Sequence, residues 1–121
     1  MKVIILAGGK GTRLSEMTKI IPKPLVKIGK YPILIHIMNL YSKFGFKDFI
    51  LCTGYKHLEF YSFFKNNYNI NFIKNSNKEK SFKILNKGWH ITLCYTGIET
   101  GTAGRLLKIK KLLKNEKNFF L

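Results

Sequence analysis

Short apolar runs alternate along this chain with segments of helical periodicity, and this order constrains its fold more than any other feature. The predicted strands are residues 2–6, 49–53, 70–73, 91–95 and a run that begins at 118, with a weaker strand signal at 82–85. The predicted helices are residues 32–44, 57–67 and 101–113. Strands that alternate with helices predict an α/β fold, here a Rossmann-like, mostly parallel sheet flanked by helices.

The first predicted helix has clear start and stop signals. Pro32 is expected in its first turn, where a missing N–H costs nothing, and Gly45 follows as a stop signal. The apolar residues that recur at helical spacing between them are Ile33, Ile37, Leu40, Tyr41 and Phe44. Residues 74–88 are polar and rich in Lys and Asn, which predicts an excursion over the surface.

The net charge of +16 raises the question of a nucleic-acid partner, because a strongly basic chain is attracted to phosphate backbones. Of the 22 basic residues, only Arg13 and Arg105 are arginine, the side chain that specific phosphate and base readers favour. The lysines are scattered along the chain rather than clustered. Solvated surface lysines are therefore the preferred interpretation, and no specific nucleic acid is expected as a partner.

The length of the chain and its cysteine content limit the class of protein. A chain of 121 residues predicts one domain with a real core. Cys52 and Cys94 lie in separate apolar runs, so no disulfide framework is predicted and a reducing compartment fits. No apolar run approaches the roughly 18 residues of a membrane span. The simplest prediction is a soluble, cytoplasmic protein with no membrane partner.

A glycine-rich loop follows the first predicted strand. Gly8, Gly9 and Gly11 remove side chains where the backbone turns tightly or approaches a ligand, and successive free N–H groups there can cradle an anion. The loop is neither a Walker motif, because Gly11 follows Lys10, nor a dinucleotide fingerprint, because Leu14 stands where the third glycine belongs. The glycines alone leave a phosphate loop and a simple turn equally open.

Two basic residues shift that balance towards an anion site. Arg13 lies close behind the glycines and can fork onto phosphate oxygens. Lys23 stands between Pro22 and Pro24, and we expect Pro24 to hold it in an extended conformation that presets the direction of its ammonium group. The alternative is a proline-bracketed loop with an incidental lysine.

The stretches LAGGKGTRLSEMT and PKPLVKIG resemble the signature of the sugar-nucleotide pyrophosphorylases, which join a sugar 1-phosphate to a nucleoside triphosphate. The stretch GWHITLCYTGIETGTAGRLLKI is most similar to the cytidylyltransferase branch of that family. The likeness covers almost the whole chain. It implies the nucleotide-diphospho-sugar transferase type of the α/β fold, with residues 1–121 as the nucleotide-binding domain.

The resemblance also implies roles for individual residues. Arg13 is implied to stabilise the departing pyrophosphate and Lys23 to bridge the phosphates at the reacting centre, so these two are the predicted catalytic residues. The residues implied to bind the nucleotide are Leu6, Ala7, Gly8, Gly9, Lys10, Gly11, Thr12, Arg13, Lys23, Thr100 and Arg105.

The implied reaction converts CTP and glucose 1-phosphate to CDP-glucose and pyrophosphate, by in-line attack of a sugar-phosphate oxygen on the α-phosphorus. Such transfers depend on positioning and charge neutralisation, and Mg²⁺ is the implied cofactor. Two alternatives stay open. One is a related pyrophosphorylase that uses dTTP, UTP or GTP, and the other is a non-catalytic basic module that binds a nucleotide or RNA.

The sequence departs from the family pattern in three places. Lys10 stands where an apolar residue is usual, and Ala103 stands where glycine is common. The family's metal-binding Asp is expected beyond Leu121, so no metal ligand is predicted within the chain, and the source of the metal-binding carboxylate is left open. We therefore expect a truncated domain whose C-terminal part is missing. The sequence leaves formation of a homo-oligomer open.

Overall fold

The computed structural model describes residues 2–7, 22–54, 56–96 and 119–120. The strands are β1 (Lys2–Ala7), β2 (Lys27–Ile28), β3 (Tyr31–Pro32), β4 (Asp48–Thr53), β5 (Ile70–Asn75), β6 (Glu79–Ile84), β7 (Trp89–Tyr95) and β8 (Phe119–Phe120). The helices are α1 (Ile33–Lys43), α2 (His57–Asn67) and a 3₁₀ helix at Lys23–Leu25. The predicted helix over 101–113 lies outside the described residues.

The main sheet has six strands in the order β5-β6-β7-β4-β1-β8. β1, β4, β7 and β8 are parallel to one another, whereas β6 is antiparallel to both of its neighbours. The predicted Rossmann-like α/β fold with a mostly parallel sheet is confirmed. The chain moves from β1 outward to β4 and β7 and then returns to the other side of β1 for β8. This change of direction is a topological switch point, the place where open α/β sheets bind ligands.

One face of the sheet carries both described α-helices. Alternate residues of the strands point to this face because the side-chain period of a strand is two. The buried side chains that form its core include Val3, Phe49, Leu51, Ile91 and Leu93 from the parallel strands and Leu34, Ile35, Met38, Phe60 and Phe64 from the helices. Phe49 meets Trp89 edge to face, with ring centroids 5.8 Å apart. The two crossovers that contain the described helices therefore lie on the same side, as right-handed connections that run in one direction require.

The opposite face has a smaller apolar cluster, made of Ile4, Ile50, Cys52 and Cys94. Both cysteines are buried on neighbouring strands and in the thiol form, as expected of small apolar strand residues. Among the described residues, no helix is long and apolar enough to cross a membrane.

The side of helix α1 that faces the core differs from the side that the spacing of its apolar residues predicts. Its buried residues are Leu34, Ile35 and Met38, whereas Leu40 and Phe44 are exposed. The apolar residues of α1 cover most of its circumference, so the packing against β1 and β4 decides which of them are covered. Pro32 precedes the helix rather than lying in its first turn, because it pairs with Lys27 in the β2–β3 hairpin.

The region predicted as a surface excursion contains most of a hairpin. β5 continues to Asn75, and β6 begins at Glu79, earlier than the predicted start at 82. The sequence gives only a weak signal for β6 because four of its six residues are polar, although β6 is the inner strand of the hairpin. Ser81 and Phe82 are both buried, and β6 pairs with β5 and β7 on its two sides.

Candidate nucleotide site at the carboxyl ends of the parallel strands

Three parallel strands end level with one another. Ala7, Thr53 and Tyr95 are Cα partners across β1, β4 and β7, and they are the last residues of those strands. The predicted glycine loop follows Ala7 directly, and the second predicted nucleotide segment follows soon after Tyr95. Both predicted binding segments therefore leave the sheet from the same edge, beside the switch point.

The two described site residues of β1 lie on opposite faces of the sheet. Ala7 is buried in the core that the helices cover, whereas Leu6 is partly exposed on the other face. The predicted residues Gly8, Gly9, Lys10, Gly11, Thr12, Arg13, Thr100 and Arg105 lie outside the described residues. Their roles stay predictions.

The predicted extended conformation of Lys23 is wrong. Lys23 begins a 3₁₀ helix that two backbone hydrogen bonds close, from Leu25 N to the Pro22 oxygen at 2.9 Å and from Val26 N to the Lys23 oxygen at 3.1 Å. Leu25 is buried in the same core as Ala7. These bonds and this burial outweigh the steric preference of a residue before proline for an extended backbone. The Lys23 side chain is exposed, so it remains accessible to a ligand.

A hydrogen-bonded cluster joins the ends of β4 and β7. The Thr53 hydroxyl donates to the Cys94 carbonyl at 3.1 Å and also bonds Nδ1 of His57. The Thr53 carbonyl accepts from the Thr96 N–H at 2.8 Å and from the Thr96 hydroxyl at 3.1 Å. Thr53 and Thr96 are both buried. These hydrogen bonds hold Thr96, the residue that follows β7, against the carboxyl end of β4.

The start of α2 brings His57 onto this cluster. Lys56, the residue before the helix, has φ 51° and ψ 47°, a left-handed conformation that side chains other than glycine seldom adopt. Such strain is common next to functional sites. The turn places the His57 ring edge-on to Tyr95, with centroids 5.1 Å apart.

Burial is the main electrostatic influence at this cluster. It lowers the pKa of His57, and the cation of Lys80 lowers it further, while the Asn77 backbone acts in the opposite direction. Burial also raises the pKa of the Cys94 thiol to about 12. The imidazole is therefore neutral at pH 7, and Cys94 is no nucleophile at that pH.

The described carboxylates do not form a site for the implied Mg²⁺. Asp48 is the first residue of β4, at the opposite end of the strand, and Glu59 is exposed in the first turn of α2. Glu79 is engaged by Lys74, with Nζ and Oε2 3.2 Å apart. Within the described part of the chain, no three His, Cys, Asp or Glu side chains are grouped to hold a metal ion.

A second polar cluster lies at the amino ends of the strands, on the other face of the sheet. His90 Nε2 bonds the Ser81 hydroxyl at 2.7 Å, and its Nδ1 lies 3.5 Å from Asp48 Oδ1. Ser81 is buried in the middle of β6, a strand hydrogen-bonded on both sides, so its backbone N–H is committed to the sheet. In the described part of the chain, the serine of this Ser–His–Asp set therefore has no spare N–H to act as an oxyanion donor, and we assign the set a structural role.

The sequence interpretation missed Thr53 and Thr96. The signal that could have found them is their position, since polar residues at the carboxyl ends of buried strands lie where α/β sheets bind ligands. His36 is exposed, and its Nε2 bonds the Ile28 carbonyl at 2.8 Å.

The nucleotidyl transferase family profile matches residues 2–121, and the chain belongs to this family. It is 42% identical over 98% of its length to the glucose-1-phosphate cytidylyltransferase of Salmonella typhimurium, and it covers 48% of that relative. It is 43% identical over 96% of its length to a probable glucose-1-phosphate cytidylyltransferase of Bacillus subtilis, covering 47% of it. A mannose-1-phosphate guanyltransferase of Schizosaccharomyces pombe is 30% identical over the whole chain, which covers 29% of that relative.

The chain spans about half the length of the cytidylyltransferase relatives that it matches. The resemblance inferred from the glycine loop and the Pro-Lys-Pro stretch is confirmed at the level of the family.

Proposed function

We propose that residues 1–121 form the nucleotide-binding domain of an enzyme that converts CTP and glucose 1-phosphate to CDP-glucose and pyrophosphate. The observation that carries this proposal is the level ending of β1, β4 and β7 beside the switch point, directly before the glycine loop. Similarity to two cytidylyltransferases over almost the whole chain supports the choice of CTP.

The chain's own residues contribute positioning and positive charge. The proposed role of Gly8, Gly9 and Gly11 is to bind the triphosphate, and that of Arg13 is to neutralise the charge that develops on the leaving pyrophosphate. Lys23 neutralises the phosphates at the reacting centre from an exposed position on its 3₁₀ helix. Thr100 and Arg105 contact the pyrimidine side of the nucleotide.

Nucleotide titrations test this proposal on the chain as it stands. Isothermal titration calorimetry with CTP, UTP, dTTP, GTP and ATP should give the tightest binding for CTP. Equal and millimolar-weak binding of all five would leave only a nonspecific polyanion site. Tighter binding of another triphosphate would move the chain to a different branch of the family.

The guanylyl branch is the second candidate, because a mannose-1-phosphate guanyltransferase aligns with the whole chain at lower identity. The same titration separates it from the first by the order of CTP and GTP. A basic module that binds RNA would instead bind a single-stranded RNA oligomer more tightly than any mononucleotide, with a steep dependence on salt.

Mg²⁺ is part of the proposed reaction, with carboxylates and phosphate oxygens as its ligands. The protein residues that would hold it are not among the described carboxylates. Titration of CTP with and without Mg²⁺ measures the requirement directly. A cytoplasmic location is also proposed, and the two free thiols fit such a reducing compartment.

A further inference from the structure

The cluster around His57 connects three elements at the predicted nucleotide edge. The ring of His57, at the start of α2, bonds the hydroxyl of Thr53 at the end of β4, and that hydroxyl bonds the carbonyl of Cys94 in β7. Thr53 is also the Cα partner of Ala7, the last residue of β1. The two predicted nucleotide segments begin on either side of Thr53, one after Ala7 and one after Thr96.

One assignment of protons satisfies both hydrogen bonds of the Thr53 hydroxyl at once. The Thr53 hydroxyl has a single proton, and it donates that proton to the Cys94 carbonyl. Nδ1 of His57 must then be the donor to the Thr53 oxygen. In the neutral ring Nε2 keeps only a lone pair, and this atom is buried without a hydrogen-bond partner.

Protonation of the ring is opposed by its surroundings. The groups that face it are Thr53 from β4, Tyr95 from β7, Lys80 from β6 and the Asn77 backbone. Lys80 is the charged group among them, and it is a cation. A second proton would enter at Nε2 and place a positive charge on a partly buried ring beside another positive charge, so the charged ring favours a position in solvent, away from Thr53.

We propose that His57 and Thr53 are positioning residues for the nucleotide. They hold the carboxyl end of β7 at a fixed distance from the carboxyl end of β1. The inference rests on the proposed function and deepens it. The glycine loop and the segment with Thr100 and Arg105 leave from these two strand ends, so a shift between them would move the phosphate contacts relative to the pyrimidine contacts. Neither residue needs to touch the substrate for this role.

Three substitutions test the proposal through the affinity of the 121-residue chain for CTP. His57→Phe keeps the ring against Tyr95 and removes both nitrogens. Thr53→Val keeps the shape of the buried side chain and removes its hydroxyl. His57→Asn retains an amide donor near the position of Nδ1. Loss of one hydrogen bond corresponds to about a 5- to 10-fold change in an equilibrium constant, so we expect His57→Phe and Thr53→Val to raise the Kd for CTP by that factor. His57→Asn should restore part of the loss.

A pH series adds a readout that a purely structural role would not change. Between pH 7.5 and 5.5, protonation of His57 should weaken CTP binding by the unsubstituted chain beyond the contribution of the nucleotide's own titration. His57→Phe should remove this extra weakening. His90→Phe, at the opposite ends of the strands, is the matched control and should keep the unsubstituted chain's pH profile.

The possible results distinguish a failure of this inference from a failure of the proposed function. If the unsubstituted chain binds none of the triphosphates, the proposed function fails and the inference fails with it. If the chain binds CTP but His57→Phe leaves the Kd and its pH profile unchanged, only the inference is overturned. It is also overturned if circular dichroism shows that the loss of affinity equals the loss of folded protein.

Discussion

One histidine lies at each end of β4 and β7, and the surroundings of the two histidines differ. At the amino ends, on the face opposite the helices, His90 has a hydroxyl on one side and the Asp48 carboxylate on the other. At the carboxyl ends, on the helix-covered face, His57 has the Thr53 hydroxyl on one side, an unpartnered Nε2 on the other, and a lysine as its charged neighbour.

The contrast indicates where an anion would be accommodated. The amino-end cluster pairs His90 with the Asp48 carboxylate, so it contains its own acidic group. Among the described residues, the charged group that acts on His57 is the cation of Lys80, and the predicted nucleotide residues include the cations Arg13 and Lys23. An incoming phosphate group would therefore be attracted to the carboxyl ends, and the amino-end cluster would have only a structural role.

The largest expected effect comes from comparing one lysine at each end. Lys23→Ala should weaken CTP binding by about 10- to 100-fold, because hydrogen bonds to charged groups contribute roughly 1.5–3 kcal/mol. Lys47→Ala removes an exposed lysine just before β4, at the amino ends, and should leave the affinity unchanged. Calorimetry on both variants measures the difference. Equal losses of CTP affinity in the two variants would mean that only the net charge attracts the nucleotide. The two ends of the strands would then not differ in nucleotide binding.

Ser81→Ala should reveal the structural role of the amino-end cluster. It removes the 2.7 Å bond to His90 from a buried position, and we expect a loss of about 1 kcal/mol in the free energy of unfolding. Ser62→Ala, on the exposed side of α2, is the control and should stay within about 0.5 kcal/mol of the unsubstituted chain. Urea titrations supply the numbers. A change in CTP affinity after Ser81→Ala would contradict the separation of the two ends.

A smaller effect is expected for Asp48→Asn. The carboxylate and His90 are each about one-third exposed, with relative side-chain exposures of 32% and 35%, and their 3.5 Å separation exceeds a good hydrogen bond. Solvent-screened pairs contribute about 0–1 kcal/mol, so the unfolding free energy should fall by less than it does after Ser81→Ala. A loss several times larger would show that the pair, rather than the serine, holds the cluster together.

The smallest effect concerns pH and stability. Because the pKa of His57 is lowered in the folded state, the unfolded chain binds more protons as the pH falls below 6.5. Stability should therefore decline from pH 7 towards pH 5, and His57→Phe should flatten that part of the curve. Thermal melts at half-unit steps of pH would show the slope. The same slope in both proteins would mean that His57 does not titrate differently on folding.

Much of the architecture could be predicted from local patterns. The buried strand from Asp48 to Thr53 and the helix over 57–67 follow from runs and periods a few residues long. The extent of β6 was harder to predict because its first three residues are all polar, and its place between β5 and β7 depends on partners elsewhere in the chain. The buried side of α1 was unpredictable for a related reason, since its circumference is largely apolar.

The sequence by itself determined the order of strands and helices, the glycine loop after β1 and the lysine between two prolines, because each depends on neighbouring residues. Only the tertiary structure decided that Lys23 begins a 3₁₀ helix, since the burial of Leu25 competes there with a local steric preference. It also decided that the Thr53 hydroxyl meets both His57 and the Cys94 carbonyl, 41 residues further along the chain. Parallel strands bring such distant residues together through crossovers, and no local pattern records which strand ends will meet.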